Sequence, residues 1–328
     1  MSARNPIPSP ARPAPRAAVL AMSLIAMAPA ACDEDGFPDE LGERDGFVDD
    51  ELGGDPLGDD ELGERDGFVD DELGGDPSAS SAAVLITRGD DQYGRTVVET
   101  PDGPAEVTFR VVDGHALVDG DIDLGEIDDL LDPHAPSRGL VAGNLWPGGI
   151  VHWQIGGLEE IFFPQLAQDI RDAVAEMDSL TDLTFIEGPS GNQIVFMVGA
   201  AGDVGGYSPV GMQGGTQYVT LNATGADKAT VLHELGHAVG LYHEHQRGDR
   251  DDHVIVSYPC IDLMEWSNFD IKWWANHTSS YDIASIMHYD SYAFSLGVCP
   301  SMTRLDGSTF TRNTHLSRRD RLTLNTWY

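Results

Sequence analysis

The stretch "HELGHAVGLYHEHQRGDRD", residues 233–251, decides how this chain is read, because it packs four histidines into thirteen residues. It continues the segment "DKATVLHELGHAVG", in which Val231, Leu232, Leu235, Ala238 and Val239 fall at helical spacing and Gly240 supplies the stop. His233 and His237 are four apart, so their imidazoles stand on one helix face within reach of a single ion. A helix offers only two such ligands, whereas a catalytic zinc takes three from the protein and keeps one position for water. Gly240 can adopt positive φ without steric cost, and His243, just beyond it, is the ligand that a turn there would deliver. Glu234 lies beside the metal without being needed as a ligand, placed to take a proton from the water that such an ion activates. The spacing H-E-x-x-H alone would arise by chance in about one protein in a hundred, so its weight comes from its surroundings.

The remaining sequence bounds where that chemistry operates. Residues 1–31 read as an export signal: Arg4, Arg12 and Arg16 precede "AAVLAMSLIAMAPAA", an apolar run too short for a comfortable membrane span. The protein is therefore expected to be exported, either secreted or lipid-anchored at the cell surface. Cys32, in "APAAC", fits the lipid-accepting cysteine of a bacterial lipoprotein, and a cut after Ala30 or Ala31 by an ordinary signal peptidase fits equally. With Cys32 set aside, Cys260 and Cys299 form an even pair, and one disulfide between them is expected in an exported chain. The net charge of −36 argues against nucleic acid or an anionic membrane surface as a partner.

Half of that charge lies in residues 33–77, which hold 20 acidic and 2 basic residues. There "ELGERDGFVDDELGGDP" occurs at Glu40–Pro56 and again at Glu61–Pro77, two copies too poor in apolar residues to bury a core. Residues 32–77 are thus expected to be an acidic, disordered linker, and they lack the spacing of an EF-hand calcium loop. From 78 to 138 the chain carries strand-like pieces, "AAVLITR", "RTVVET" and "EVTFRVVDGHALV", compatible with a small β-rich domain or an extended pro-segment. Residues 139–328 read as an α+β domain. "FPQLAQDIRDAVAEMDSL" predicts a helix burying Leu166, Ile170, Val174 and Met177, with Pro164 near its first turn. "LWPGGIVHWQI", "LTFIEG", "QIVFMVG" and "TQYVTLN" predict the strands of a sheet packed on it.

The stretch at 233–251 resembles the zinc signature of the astacin family of metzincin endopeptidases, "H-E-x-x-H-x-x-G-x-x-H-E-x-x-R-x-D-R". His233, Glu234, His237, Gly240, His243, Glu244, Arg247, Asp249 and Arg250 fill it in order. A second match, "YDIASIMHYDSYAFS" from Tyr281, resembles the family's Met-turn. The resemblance implies a metzincin fold, with an upper mixed sheet plus helices and a lower, mostly irregular subdomain, holding one Zn2+ on His233, His237 and His243. It places Met287 beneath the metal and Tyr289 against it as an additional ligand, one that swings away to donate a hydrogen bond to the developing oxyanion. "GGYSPVGMQGGTQYVTLN" resembles the segment whose edge strand pairs with an extended substrate. Glu244, directly after the third histidine, and "SIMHY" argue against other metzincin subclasses. The familiar disulfide positions are absent here, Gly206 standing where many animal members have cysteine.

Upstream, "LVDGDIDL" resembles the family's pro-segment motif "F-x-G-D-I", with Val118 at the aromatic position and Gly120, Asp121 and Ile122 matching. By that resemblance Asp121 ligates zinc in a latent precursor, which an activating protease cuts near Arg138, freeing an amino terminus that is buried and linked through water to Glu244. The expected partners are protein or peptide substrates. The competing reading is a secreted protein that keeps the fold and grips peptides without cutting them; it would be favoured by loss of Glu234 or a zinc ligand, and none is lost. His245 is expected to be exposed or to lie behind the ligands, and His288 to be structural. The charges of "RGDRDD" are expected to form local salt bridges that fix the turn.

Overall fold

Alternation along residues 84–126 builds an antiparallel meander. A computed structural model describes residues 83–88, 91–100, 103–132, 144–157, 159–199, 204–273 and 279–328; the export signal, Cys32, the acidic repeats and Arg138 lie outside these described residues. Strands β1 (Val84–Arg88), β2 (Asp91–Thr100), β3 (Gly103–Val112), β4 (His115–Val118) and β5 (Ile122–Glu126) pair in that order. Val107, Phe109, Ala116, Val118, Ile122 and Leu124 supply one buried face, which packs with Val210 and Tyr242 of the downstream chain. A short helix, α1 (Ile127–Leu131), follows. The turn between β4 and β5 takes positive φ at Asp119 (53°) and Gly120 (88°). Only glycine fits at 120, because an added Cβ would lie 2.7 Å from both the Tyr289 hydroxyl and the Phe294 ring.

The downstream chain opens with β6 (Ile150–Ile155), α2 (Glu159–Phe162), α3 (Pro164–Leu180), β7 (Thr184–Glu187), β8 (Gln193–Gly199), β9 (Gly206–Tyr207), β10 (Thr216–Asn222) and α4 (Lys228–Ala238). The sheet runs β7-β6-β8-β10-β9, parallel except for the edge strand β9. The face of α3 predicted from its periodicity is the buried one: Leu166, Ile170, Val174 and Met177 meet Val231, Leu232 and Leu235 of α4 over Val151, Ile194, Phe196 and Val219. Each fully buried aliphatic side chain of this kind contributes about 1.5–3 kcal/mol.

After α4 regular structure becomes sparse: 3-10 turns, the two-stranded ribbon of β11 (Val254–Val256) and β12 (Met302–Arg304), and the final helix α5 (Arg318–Trp327). A separate small core of Val254, Ile261, Phe269, Tyr281, Met302 and Phe310 holds this part together. Cys260 and Cys299 are disulfide-bonded across it, with Cα atoms 5.5 Å apart. The architecture is mixed α+β, a sheet with packed helices followed by a largely irregular region.

Candidate metal centre and active site

Helix α4 begins at Asp227, whose carboxylate accepts from the Thr230 amide at 2.9 Å. It ends in a Schellman arrangement: the Gly240 amide donates to His237 O (2.8 Å) and the Leu241 amide to Gly236 O (2.9 Å). Gly240 sits at φ 110°, the conformation that reverses the chain and carries His243 back toward His233 and His237. One Nε2 from each histidine and the Asp121 carboxylate converge, all four ligand atoms lying within 4.8 Å of one another.

His233 Nδ1 donates to Ile286 O at 2.9 Å and His237 Nδ1 to Leu241 O at 2.8 Å. A carbonyl oxygen can only accept, so both rings carry the proton on Nδ1 and present the Nε2 lone pair inward. The Nε2 of His243 lies 3.2 Å from that of His233 and 3.3 Å from that of His237. Lone pairs of neutral imidazoles at such distances repel, and a cation among them removes the conflict. The donor set of three imidazole nitrogens and one carboxylate oxygen suits zinc. Asp121 completes it, its oxygens 3.2 Å from His233 Nε2, 3.4 Å from His237 Nε2 and 3.1 Å from His243 Nε2.

Asp121 arrives on the upstream segment, which docks on the sheet edge beside the centre. The Ser208 amide donates to Asp121 O and the Asp123 amide to Ser208 O, both at 3.0 Å, with Ile122 bridging Ser208 in parallel register. Tyr289, expected as an additional ligand, donates its hydroxyl to the Asp119 carbonyl oxygen in the turn at 119–120. Burial, reinforced by the charge of Asp121, raises the Tyr289 pKa well above the usual phenol value. Its ring stacks on His245 at 4.0 Å. His245 is fully buried, with Nε2 donating to Asn268 O at 2.9 Å, so the exposed position open to it from sequence is not the one it takes.

Glu234 is buried between helix and edge strand, and its Oε2 meets no hydrogen-bonding group among the described residues. Burial, followed by the charge of Asp121, raises its pKa well above the ordinary carboxylate range. Glu244 accepts from Arg247 Nη1 (3.1 Å) and from the Asp282 amide (2.8 Å), and burial pushes it up to about 7 against the pull of Arg247. Arg247 also binds Asp249 at 2.8 Å, which commits the "RGD" triplet to the turn. Met287 lies buried under α4, its sulfur so close to Gly236 that an added Cβ there would sit 2.5 Å away. His288 Nε2 accepts from the Tyr281 hydroxyl at 2.6 Å and is structural.

An open cleft of about 210 Å3 adjoins the centre, lined by residues including Gly206, His233, Glu234, Tyr289, Ala293 and Arg312. Three features escaped the sequence reading. Asp320 of α5 accepts from Ser285 Oγ (2.6 Å) and the Ile286 amide (2.9 Å), fixing the carbonyl that orients His233. The capping spacing of Ser317 and Asp320 is a signal that could have found the helix start, but not this contact. Ser208, as the docking residue, and the buried ion pair of Asp119 with Lys272 carried no sequence signal.

A mixed α+β fold whose central helix and following turn set three histidines around one point is the arrangement of the metzincin class. The peptidase family Astacin matches residues 142–328, more than half of the chain, and the chain belongs to that family. It is 37% identical over 193 residues to Astacin-like metalloprotease toxin 1 of Loxosceles intermedia, covering 56% of this chain and 68% of that one. It is 32% identical over 248 residues to Astacin-like metalloendopeptidase of Mus musculus, covering 71% of this chain and 52% of that one. The chain spans well under half of some relatives, 42% of zinc metalloproteinase nas-7 of Caenorhabditis elegans at 31% identity over 49% of its own length. Among solved structures it is similar to High choriolytic enzyme 1, a hatching enzyme zinc-protease of Oryzias latipes, at 27% identity and TM-score 0.49, over 56% of this chain and 92% of that one. These relatives are animal proteins, so the bacterial origin suggested by the leader finds no support in them. Among the described residues no helix is long and apolar enough to cross a membrane.

Proposed function

We propose that this protein is an exported zinc endopeptidase made as a latent precursor, with residues 78–138 as pro-segment and 139–328 as catalytic domain. The observation that carries the reading is Asp121, an upstream carboxylate seated on the same three Nε2 atoms that would hold the metal. His233, His237 and His243 would hold the ion, which when bound supplies Lewis acidity toward a peptide carbonyl and lowers the pKa of water. Glu234, almost wholly buried at the wall of the cleft, takes a proton from the attacking water and returns it to the leaving amine. Tyr289, which already donates to a main-chain carbonyl in the cleft, does the same for the oxyanion that develops there. Edge strand β9 and Ser208 hold an extended substrate by main-chain pairing once the upstream segment leaves.

Activation is assigned to a protease cutting near Arg138. Cys32 is either the lipid anchor or lies next to the signal-peptidase cut, and residues 32–77 act as an acidic spacer. The test compares zinc content and cleavage of a mixed peptide library for the precursor, the protein cut at Arg138 and the cut Glu234→Ala variant. The reading expects activity in the cut wild type alone, with zinc retained by the variant. Cut wild type that holds zinc yet cleaves nothing supports the peptide-binding alternative, and cut protein without zinc removes the metal reading.

A further inference from the structure

One wall of the cleft stands in a conformation that its residue avoids. Phe294, next to Ala293 in the lining, has φ 53°, in the left-handed region where a β-carbon crowds the following carbonyl oxygen. Asparagine and aspartate settle there with the help of a local hydrogen bond, and a benzyl group has none to make. A bulky residue persists in such a place where its surroundings over-determine it, and these positions gather at ligand clamps. The ring shows what it clamps. It lies against the turn at 119–120, where a Cβ on Gly120 would come 2.7 Å from its Cζ, and it meets the Tyr289 ring at a centroid distance of 5.5 Å.

A second short piece of chain holds Phe294. Its carbonyl oxygen accepts from the Asp262 amide at 3.4 Å, Ser295 bridges Ile261 in antiparallel register, and the Leu296 amide donates to Cys260 O at 2.8 Å. The Ser295 hydroxyl donates to Cys299 O at 2.6 Å. Residues 260–262 and 294–296 thus lie side by side, and the Cys260–Cys299 disulfide closes them into one loop. Leu296 is exposed, so these main-chain contacts compete with water, whereas a covalent link removes the states in which the two pieces part. The three histidines belong to α4 and the turn after it, and that helix packs into a core distinct from the one that holds Ile261 and Phe294. Slackening the loop therefore reaches the cleft wall before it reaches the metal group.

We propose that Phe294 is a peptide-contacting residue of this cleft and that the Cys260–Cys299 disulfide positions it, so that the crosslink acts on peptide binding through this one ring. In the precursor the ring packs on Gly120. After activation it packs on the main chain of the peptide that takes the same place beside Tyr289, a step that rests on the endopeptidase reading.

The experiment uses the zinc-loaded chain cut near Arg138, as wild type, Phe294→Gly, Cys260→Ser with Cys299→Ser, and all three substitutions together. Affinity for the peptide spanning residues 115–126 is measured by calorimetry, and kcat and KM on a fluorogenic peptide, with a melting curve and zinc content for each protein. Freed from the crosslink, the backbone at 294 returns to its ordinary conformations and keeps the wall in place in about one molecule in five to thirty. The Ser pair should therefore bind the peptide about five- to thirtyfold more weakly, with KM raised to match, kcat within about twofold and zinc retained. Glycine enters the left-handed region freely but has no ring, so Phe294→Gly should lose affinity as well, and in that background the Ser pair should weaken binding no further. A disulfide serving stability alone would lower the melting temperature and leave affinity and KM where they were, which would overturn the proposal. An equal loss of affinity from the Ser pair with and without the ring would overturn it too. So would unchanged affinity in Phe294→Gly, a variant that keeps the disulfide and does not depend on the Ser pair folding. Absence of all cleavage, with the binding differences as expected, would strike the endopeptidase reading and leave the roles of Phe294 and the disulfide standing.

Discussion

Replacing Asp121 by Asn in the uncut chain tests the proposed latency at its narrowest point. The carboxylate lies 3.1 to 3.4 Å from three Nε2 atoms, and the amide keeps its size while removing its charge. A charge-assisted contact of this kind contributes about 1.5–3 kcal/mol, which corresponds to a roughly ten- to hundredfold larger population of open cleft. The other anchors of the segment remain: the Ser208 pairing at 3.0 Å, the Asp119–Lys272 pair at 3.1 Å and the Tyr93 hydroxyl donating to Glu265 at 3.2 Å. Uncut Asp121→Asn should therefore hydrolyse a fluorogenic peptide about ten to a hundred times faster than uncut wild type, yet slower than the cut protein. The assay is the initial rate of the zinc-loaded full chain, normalised to the same preparation after cutting. Cut Asp121→Asn and cut wild type should match, since the substitution departs with the upstream segment. If uncut Asp121→Asn stays as silent as uncut wild type while the cut forms match, Asp121 is not what keeps the cleft shut.

Three further outcomes are expected. Replacing Cys260 and Cys299 by Ser together should cost about 4 kcal/mol, from the loop entropy of a 39-residue separation, and an unchanged melting curve would contradict this. Leu232→Ala, which empties a fully buried site in α4, should cost about 2–5 kcal/mol by denaturant titration and lower zinc retention with it. His115 has its pKa raised above 6.5, chiefly by its hydrogen bond to Asp123 and against the effect of burial. Its contribution to stability is thus full below the unfolded pKa and lost as pH rises through the folded one, so His115→Asn should lower the melting temperature more at about pH 6 than at about pH 9.

What could be read from sequence was what chain spacing encodes. Leu166, Ile170, Val174 and Met177 face the core because three- and four-residue steps map onto one helix side, and the same rule places His233 and His237 together. Gly240 and His243 were legible because a single positive-φ residue fixes where the chain goes next. Tyr289 shows where spacing stops helping: its hydroxyl is taken by the Asp119 carbonyl, and a main-chain acceptor has no residue type to read. Lys272 and Asp119 illustrate the same limit for charges, since one aspartate among 55 acidic residues announces no partner until the fold brings a lysine to it.

That limit bears on the proposed latency itself. The legible part is one ligand, Asp121, and taken alone it suggests a switch that a competing anion or a single substitution would throw. The docked segment adds a parallel bridge at Ser208, a phenol held by a backbone carbonyl and an ion pair sealed from water, none of which involves the metal. These contacts reinforce one another, because each orders the same short turn and lowers the entropic cost of the next. Chelating the zinc from the uncut chain should therefore leave the segment docked, and only breaking the chain gives it a route out of the cleft. Protection of the 119–123 amides from hydrogen exchange should accordingly change little on chelation and fall on cutting; the opposite order would place the whole of the latency on Asp121.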